Sequence, residues 1–300
     1  MPERSFPAGF IVVDKPAGET SFAMVSMLRR LTGVRRIGHA GTLDPLATGV
    51  LPVAVGAATR LIGYMEDAPK GYVAEARLGI ATDTYDADGA VTSERDASGI
   101  TQEAVASALA GFVGAVSQRP PPFSAIKLAG KPLYRYAREG ARVEAPARTV
   151  RIDSIELRAF EPPLVQIAVQ CRKGTYIRSI AHDLGERLGC GAHLTALRRT
   201  SSGGFALDDA HDVGAIATAA AEGALDELML APDRVLESRQ AAIVGDLRAA
   251  ELLQGRDLEL DGRASGPICR AYSTEGEFLG VLRALESGAW HPEKVLRRAS

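Results

Sequence analysis

One aspartate is isolated from the other charges of the chain. Between Ile37 and Thr59 the single formally charged side chain is Asp44, whereas charged residues make up 24% of the whole sequence. It lies between Leu43 and Pro45 in the glycine-rich stretch GHAGTLDPLATGVLP. A residue that precedes proline avoids the helical region of backbone space, which restricts the direction of its side chain. The sequence therefore places one oriented carboxylate in apolar surroundings.

Such a carboxylate has two interpretations. An aspartate in a poorly hydrated loop becomes protonated unless a cation or hydrogen-bond donors stabilise its charged form. If Asp44 is held ionised, it is competent as a nucleophile or as an electrostatic stabiliser of a sugar-like, oxocarbenium-type centre. The alternative is a turn residue in an Asp-Pro bend, satisfied by nearby amides. On spacing alone, the turn residue is the better interpretation.

Other kinds of chemistry find no support in the sequence. It contains no G-x-x-x-x-G-K-[ST], no G-x-G-x-x-G and no G-x-S-x-G motif, which are the patterns of phosphate loops, dinucleotide sites and hydrolase nucleophiles. The one tempting metal cluster, His182, Cys190 and His193, lacks a C-x-x-C or H-x-x-x-H core. We therefore expect no cofactor and no metal.

Length and composition indicate a protein of the cytoplasm. The 300 residues suit one or two domains with a substantial core. The sequence has no long apolar run of the kind that crosses a membrane, and the start, MPERSFPAGF, does not resemble a signal peptide. The three cysteines are an odd number and widely spaced, so they do not form a disulfide framework.

Charge is distributed unevenly along the chain. Although the net charge is −2, residues 1–205 carry 25 Lys and Arg against 20 Asp and Glu, and residues 206–300 carry 10 against 17. Phosphate backbones respond to a local positive field rather than to the total charge. The asymmetry is compatible with a nucleic-acid partner, and equally with ordinary solvated surface charge.

The strands and helices predicted around Asp44 indicate an α+β fold. Residues 10–13 (FIVV) predict a strand, followed by a helix that Thr20 or Ser21 caps and Gly33 ends. Further strands are predicted over 72–80, 148–160 and 164–172, the last two paired, with helices over 101–112 and after a Thr175 cap. Hairpin-like strands without a regular βαβ alternation predict a mixed, mostly antiparallel sheet flanked by helices.

Two changes of composition mark the domain organisation. Residues 206–237 are Ala-rich and helical in pattern, with eight acidic side chains against Arg234. From 238 to 300 short β-type runs return around turns. We therefore predict a first domain over 1–237, with 206–237 as an acidic helical stretch, and a small β-rich domain over 238–300.

The stretch around Asp44 also resembles a known family signature. GHAGTLDPLATGVLPVAVGAATR is similar to that of the TruB-type pseudouridine synthases, the bacterial family that makes pseudouridine at position 55 of tRNA. Other segments resemble the family in the same order: KPAGETS, KGYVAEARLG, TDTYDADG, PPFSAIKLAGKPLYRYAREG, CRKGTYIRSIAHDLGERLGCGAHLTALRRTSSG and HPEKVL. The resemblance covers most of residues 10–205 and, more loosely, the C-terminal domain. It implies the pseudouridine synthase fold, a PUA-like C-terminal domain and a cofactor-free isomerisation of a uridine in the tRNA T loop.

The resemblance also assigns a catalytic set. It implies that Asp44 is the catalytic aspartate, acting on the bond that joins the uridine base to its ribose. Arg178 matches the arginine that pairs with this aspartate, and Tyr72 matches the tyrosine beside the target base. The alternatives are a surface arginine on a helix and a tyrosine in the core of a strand.

Five further residues match substrate-binding positions of the family. His39 resembles the histidine that enters the T loop when the target nucleotide flips out of the stack. Tyr176 and Leu197 match positions at the pocket, and core packing is the alternative for both. Lys15 and Pro16 match a Lys-Pro pair behind the active site.

Basic residues along the chain are the predicted contacts to RNA phosphates. They are Arg29, Arg30, Arg35, Arg36, Lys127, Lys131, Arg135, Arg138, Arg198 and Arg199. The predicted partner is the T stem-loop of tRNA, and we expect a monomer. Two other functions compete with the isomerase: a non-catalytic RNA-folding module that uses the same surface, and a glycosidase that would need a second carboxylate near Asp44.

Overall fold

The computed structural model describes residues 6–124, 126–128, 130–139, 143, 145–260 and 266–296. Within them the strands are β1 Gly9–Lys15, β2 Ile37–His39, β3 Thr48–Val55, β4 Lys70–Leu78, β5 Ile80–Thr82, β6 Val91–Glu94, β7 Gly114–Gln118, β8 Lys127–Leu128, β9 Lys131–Pro132, β10 Arg148–Glu161, β11 Leu164–Cys171, β12 Ala192–Ser202, β13 Phe205–Ala206, β14 Ala210–His211, β15 Ala241–Val244, β16 Ile268–Ser273, β17 Phe278–Ala284 and β18 Trp290–Val295. The α-helices are α1 Ser21–Thr32, α2 Gln102–Ala110, α3 Leu133–Arg138, α4 Ile177–Leu188, α5 Val213–Glu222 and α6 Asp246–Leu253. Short 3₁₀ helices cover Gly56–Met65, Leu207–Asp209, Leu225–Leu228 and Pro232–Leu236.

A ten-stranded sheet forms the centre of the molecule. Its strands run in the order β14-β1-β3-β12-β4-β11-β10-β7, with β2 paired to β3 and β13 paired to β12. The β1–β14 and β3–β12 pairs are parallel, and the other pairs are antiparallel. Because α1, α2, α4 and α5 contribute buried residues to a core cluster shared with the sheet, the predicted α+β class is confirmed.

Helix α1 begins and ends where the sequence predicts. The Thr20 side chain accepts a hydrogen bond from the Ala23 N–H at 3.0 Å, the usual N-cap contact. Gly33 adopts the left-handed conformation at the C-terminus, with φ of +71°. The helix therefore leaves β1 at a defined point, which fixes the path of the KPAGETS segment between them.

Helix α4 begins differently from the prediction. Its N-cap is Tyr176 rather than Thr175, and no side chain caps it. The Thr175 hydroxyl instead donates to the Arg172 carbonyl at 3.0 Å. Gln118 holds the helix start, because its amide group accepts from the Tyr176 N–H at 2.8 Å and donates to the Tyr176 carbonyl at 3.0 Å. A partner distant in sequence replaces the local cap.

The strand predicted over 72–80 is two strands. β4 ends at Leu78 and β5 begins at Ile80, because Gly79 turns the chain with φ of +88°. A Cβ at this position would lie 2.9 Å from the Arg95 carbonyl oxygen, so only glycine fits. The predicted pairing of 148–160 with 164–172 is confirmed as the antiparallel β10–β11 pair.

The C-terminal region forms a separate four-stranded sheet. Its strands run in the order β15-β16-β17-β18, and their apolar side chains and those of α6 form one buried cluster, including Leu252 and Trp290. A second cluster joins this region to the large sheet, since Val281 and Leu296 pack with Phe10 and Phe205. None of the helices in the described part of the chain has the length and apolarity needed to cross a membrane.

Candidate active site

Asp44 forms an ion pair with Arg178. Its Oδ2 lies 2.9 Å from the Nε of Arg178, and the two side chains are 39% and 6% exposed. The Nε–H bond is not aligned for a hydrogen bond within the described structure, so the contact is ionic. The carboxylate is therefore open to the cleft on one side and meets a buried cation on the other.

Arg178 is held in place without Asp44. Its guanidinium donates from one NH₂ group to the Thr84 carbonyl and from the other to the Phe123 carbonyl, both at 3.1 Å. The first of these groups also lies 3.2 Å from Oδ2 of Asp86. Because these contacts use the far end of the guanidinium, its Nε is presented to Asp44 as a fixed positive group.

Asp86 is a second carboxylate at the site that sequence reasoning missed. Its side chain is 8% exposed, and its Oδ1 accepts from the Thr84 hydroxyl at 2.5 Å and from the Asp88 N–H at 3.2 Å. In sequence it lies in the polar segment TDTYDADG, which reads as a solvated turn. The threonines there indicate a turn held by side chains, but nothing local indicates an arginine 92 positions away.

The backbone on both sides of Asp44 is attached to the N-terminal segment. The Leu43 N–H donates to the Ser21 hydroxyl at 2.8 Å, and that hydroxyl donates to the Leu43 carbonyl at 3.1 Å. The Pro45 carbonyl accepts from the Lys15 ammonium at 3.2 Å and from the Gly18 N–H at 2.9 Å. These bonds set the direction in which the carboxylate points.

Lys15 lies behind the aspartate loop and contacts its Pro45 carbonyl. Its side chain is fully buried, and its ammonium also donates to the Pro16 and Glu19 carbonyls, both at 2.7 Å. Burial lowers the pKa of Lys15, while the charges of Glu19 and Asp44 act in the opposite direction. Pro16 is exposed and does not line the cleft, so its contact with the site is through its carbonyl.

Tyr72 and Arg199 form the floor of the site. Tyr72 lies on β4, opposite Arg199 of β12, and its hydroxyl is hydrogen-bonded to the guanidinium of Arg199. Burial raises the pKa of Tyr72, so the phenol stays protonated at neutral pH.

Arg199 is not a surface phosphate contact, and that prediction is wrong. It is 1% exposed, and its guanidinium donates to the carbonyls of Val50 at 2.7 Å and Gly41 at 3.1 Å. Its backbone explains a motif glycine, since a Cβ on Gly49 would lie 2.2 Å from the Arg199 carbonyl oxygen. Arg199 thus ties β12 to the two ends of the aspartate loop.

The other predicted pocket residues line the same cleft, which has a volume of about 760 Å³. His39 is half-buried at the end of β2, where burial and the charge of Arg199 lower its pKa, so the imidazole is neutral. Leu197 is 8% exposed and gives an apolar patch. Tyr176 lies with the Arg148 guanidinium over its ring, 5.1 Å from the centroid.

Four basic residues of the cleft were not singled out from the sequence: Lys70, Arg148, Arg172 and Lys173. Lys173 pairs with Asp67 at 2.6 Å, and Arg172 pairs with Asp153 at 2.8 Å. Adjacent basic residues next to GTYIR were the available signal, but a basic pair is more often plain solvated surface. Together with Arg178 they make the cleft wall electropositive.

The remaining predicted phosphate contacts whose side chains the structure describes do not line the cleft. Some are engaged by the protein: Arg29 donates to the Ile37 carbonyl, Arg36 to the Thr59 hydroxyl, Lys131 pairs with Glu139, and Arg198 pairs with Asp14. Arg30, Arg35 and Arg135 are exposed. The side chains of Lys127 and Arg138 lie outside the described part of the structure. Their contact with RNA remains a prediction.

The His182, Cys190 and His193 cluster does not form a metal site. His193 Nδ1 lies 2.8 Å from the Ile80 carbonyl oxygen, and the His182 ring stacks on Tyr85. Among the residues that the structure describes, no group of three or more His, Cys, Asp or Glu side chains is arranged to hold a metal.

Family models match residues 29–237 of the chain, and curated relatives match nearly its whole length. Residues 29–177 match the N-terminal domain of the TruB family of pseudouridylate synthases, and residues 178–237 match a C-terminal domain of tRNA pseudouridylate synthase B. The tRNA pseudouridine synthase B of Dehalococcoides mccartyi (strain ATCC BAA-2266 / KCTC 15142 / 195) is 40% identical over 96% of each chain. That of Geotalea uraniireducens is 44% identical over 96% of each chain, and that of Aromatoleum aromaticum is 43% identical over 98% of this chain and 94% of its own.

Solved structures show the same fold. A chain of a Cbf5-Nop10-Gar1 complex superposes with a TM-score of 0.71 at 26% identity, covering 95% of this chain and 81% of its own length. A chain of an H/ACA RNP bound to a substrate RNA that contains 2′-deoxyuridine superposes with a TM-score of 0.74 at 24% identity, covering 99% and 87%. The fold agreement and the full-length identity to bacterial relatives lead to one conclusion: the chain belongs to the TruB family and is a tRNA pseudouridine synthase, an isomerase.

Proposed function

We propose that the enzyme isomerises the uridine at position 55 in the T loop of tRNA, after that nucleotide has flipped into the cleft. The observation that carries this proposal is the half-exposed Asp44 carboxylate beside buried Arg178, at the base of a cleft with basic walls. A loop nucleotide is less costly to unstack than one in a duplex. The cleft volume of about 760 Å³ is ample for one nucleotide.

Asp44 is proposed to act at the ribose carbon. The reaction breaks the bond between N1 of uracil and C1′, turns the base, and joins C5 to C1′, after which the proton on C5 is lost to water and N1 takes up a proton from water. An ionised carboxylate assists at C1′, either by direct attack or by helping an elimination. Arg178 places a buried positive charge 2.9 Å from Oδ2 of Asp44, on the side away from the open cleft. The chemistry uses only this chain and its substrate.

Tyr72 is proposed to hold the flipped base. Its ring lies in the cleft beside Leu197, where an aromatic face and an apolar side chain suit a pyrimidine ring. Because burial raises the pKa of Tyr72, the neutral phenol is a poor base at pH 7 and acts through stacking and hydrogen bonding. Arg199, which is bonded to the same hydroxyl, fixes the ring.

His39 is proposed to occupy the space that the flipped nucleotide leaves. Its neutral imidazole is planar and lines the cleft. A neutral ring can stack on RNA bases without the desolvation penalty of a cation. Lys70, Arg148, Arg172 and Lys173 are then placed to contact phosphates of the same strand.

The domain division also belongs to this proposal. We place the catalytic domain at 1–237 and a PUA-like RNA-binding domain at 238–300, because one buried apolar cluster is built solely from residues between Ala242 and Val295. A monomeric enzyme and a cytoplasmic location remain predictions.

An isotope assay tests the proposed function. Unmodified tRNA transcript labelled with tritium at C5 of uridine should release tritium when it is incubated with the pure protein and no cofactor. A transcript with cytidine at position 55 should release none. Tritium release that persists with the cytidine transcript would place the modification elsewhere. Asp44→Asn should bind the transcript without releasing tritium, and tRNA refolding by that variant would identify a separate RNA-folding activity.

A further inference from the structure

Tyr85 has an unusual backbone conformation beside the Arg178 site. Its φ is +66°, the single positive φ outside glycine among the described residues. A bulky side chain rarely adopts this region, and such strain persists where surrounding contacts impose it. The ring of Tyr85 stacks on that of His182, with centroids 3.8 Å apart and planes 7° apart. Neither residue lines the cleft.

The stack lies one helical turn from the contacts of Arg178. His182 follows Arg178 by four positions on α4, so both side chains leave the same face of the helix. Tyr85 stands between Thr84 and Asp86, the two turn residues that hold the guanidinium. The turn is thus attached to α4 at two levels, first by Arg178 and then by His182.

Backbone bonds show what the conformation of Tyr85 achieves. The Leu194 N–H donates to the Tyr85 carbonyl at 3.0 Å, which attaches the turn to β12. The left-handed residue reverses the chain between Thr84 and Asp86, so a carbonyl and a carboxylate on either side of it both reach Arg178. A glycine would adopt this φ freely, yet the chain has a tyrosine whose ring contacts α4.

His182 takes part through its ring face. Its Nδ1 is buried and has no hydrogen-bond partner in the described structure. Burial lowers its pKa, against the effect of Glu186, so the imidazole is neutral in the folded protein. Because the His182 ring carries no charge and its Nδ1 makes no hydrogen bond in the described structure, the ring acts as a flat packing surface for Tyr85.

We propose that the Tyr85–His182 stack is a positioning device for the reaction: it holds the turn of Thr84 and Asp86 against Arg178, and thereby holds the cation that faces Asp44. This inference rests on the proposed roles of Asp44 and Arg178. Both rings are positioning residues, because they act through Arg178 and do not contact the substrate cleft. Substituting them should slow the chemical step and leave tRNA binding intact.

Variants of His182 provide the first test. With saturating enzyme, His182→Ala should lower the single-turnover rate of pseudouridine formation by about ten- to a hundredfold, while the Kd for tRNA stays within about twofold of wild type. His182→Phe keeps a flat ring and should restore most of the rate, whereas His182→Leu keeps apolar volume without a ring and should not. Equal rates for wild type and His182→Ala, or equal recovery by Leu and Phe, would overturn the proposal.

Variants of Tyr85 separate positioning from stability. Tyr85→Gly removes the ring and also the backbone strain, so it should remain folded with a melting temperature above that of Tyr85→Ala, yet react as slowly as His182→Ala. A Tyr85→Gly enzyme with the wild-type rate would show that the stack has no part in positioning. The proposed function is tested apart from this: an active wild type and an inactive Asp44→Asn support it whatever the stack variants do.

Discussion

Two segments each bring one carboxylate to Arg178, and the surroundings of the two carboxylates differ. In the loop around Asp44 the backbone is fixed by Ser21 and Lys15, and the side chain is 39% exposed with Arg178 as its contact. In the turn around Asp86 the side chain itself is fixed, with one oxygen on Thr84 and the other on Arg178, and it is 8% exposed.

The difference indicates which carboxylate can react. An oxygen that already accepts two hydrogen bonds in a buried turn has little capacity left for a substrate. Asp44 keeps an open face toward the cleft, and its aim comes from the backbone rather than from bonds to the carboxylate. One arginine therefore joins a structural acid to a proposed reactive one, and substitutions should separate the two roles.

The largest effect is expected at Asp44. Asp44→Asn should lower the single-turnover rate by about 10⁴-fold, as for loss of a reacting group, because the neutral amide cannot assist at C1′. Its free energy of unfolding should change by about 1 kcal/mol or less, since the pair is partly exposed. Tritium release and urea unfolding measure the two quantities.

Glu66 provides the matched control for Asp44. It is the other acidic residue among the described ones that line the cleft, and Glu66→Gln should keep the rate within about tenfold of wild type, within the range of electrostatic effects from one nearby charge. If Asp44→Asn kept as much activity as Glu66→Gln, Asp44 would be a turn residue after all.

Asp86 should show the reverse balance. Asp86→Asn leaves the buried Arg178 charge without its buried carboxylate partner, and breaking a buried pair costs about 3–5 kcal/mol. We therefore expect a large loss of unfolding free energy in urea and a smaller loss of rate than at Asp44, about 10²-fold. Asp83→Asn is the control in the same turn, because Asp83 accepts from the Ala90 N–H. Similar losses at positions 83 and 86 would show that the turn, rather than the ion pair, matters.

Substitution of Lys15 tests whether contacts to the backbone set the direction of the Asp44 side chain. Lys15→Met fills the same space but removes the ammonium that donates to three carbonyls, among them that of Pro45. We expect a loss of about 2–3 kcal/mol in unfolding free energy, the range for a hydrogen-bonded charged group. The rate should fall about tenfold through looser placement of Asp44. A variant destabilised by this amount with an unchanged rate would show that the aim of Asp44 does not depend on this contact.

Local features of the chain predicted part of this arrangement. Thr20 and Gly33 delimit α1 by local rules, and the chargeless stretch singled out Asp44. The pairing of Asp44 with Arg178 was predicted from the family resemblance, because the two residues are 134 positions apart in the sequence. The Asp86 contact was not accessible, since a turn with three acids looks solvated until its partner is known.

The arginines of β12 show a signal that was present and not used. Neighbouring residues on a strand face opposite sides of the sheet, so Arg198 and Arg199 would not both be surface contacts if either face is buried. The structure places Arg198 on Asp14 and buries Arg199 beneath Tyr72. The alternation of side-chain directions along β12 already favoured the burial of one of the two arginines. What it could not supply was the identity of the acceptors, which come from β3 and the aspartate loop.

A third carboxylate, Asp183, extends the comparison because the attraction of its basic neighbour does not outweigh the effect of its burial. Asp183 is half-buried on α4, and burial raises its pKa to about 6 despite the attraction of Arg187. A folded-state pKa above the unfolded value of about 3.9 means that the folded protein binds more protons between about pH 4 and 6. Stability from this group is therefore present below that window and is lost as pH rises through it. Its ionised form should lower stability at pH 7.

Asp183→Asn should accordingly stabilise the protein by about 1 kcal/mol at pH 7, a value reduced for partial exposure to solvent, and should change little near pH 4. Urea unfolding across this range measures the effect, with exposed Glu222→Gln as the control for removing a surface carboxylate. A variant that is less stable than wild type at pH 7 would mean that Asp183 is stabilised by Arg187 as firmly as Asp86 is by Arg178. The only difference left between Asp86 and Asp183 would then be how far each side chain is exposed.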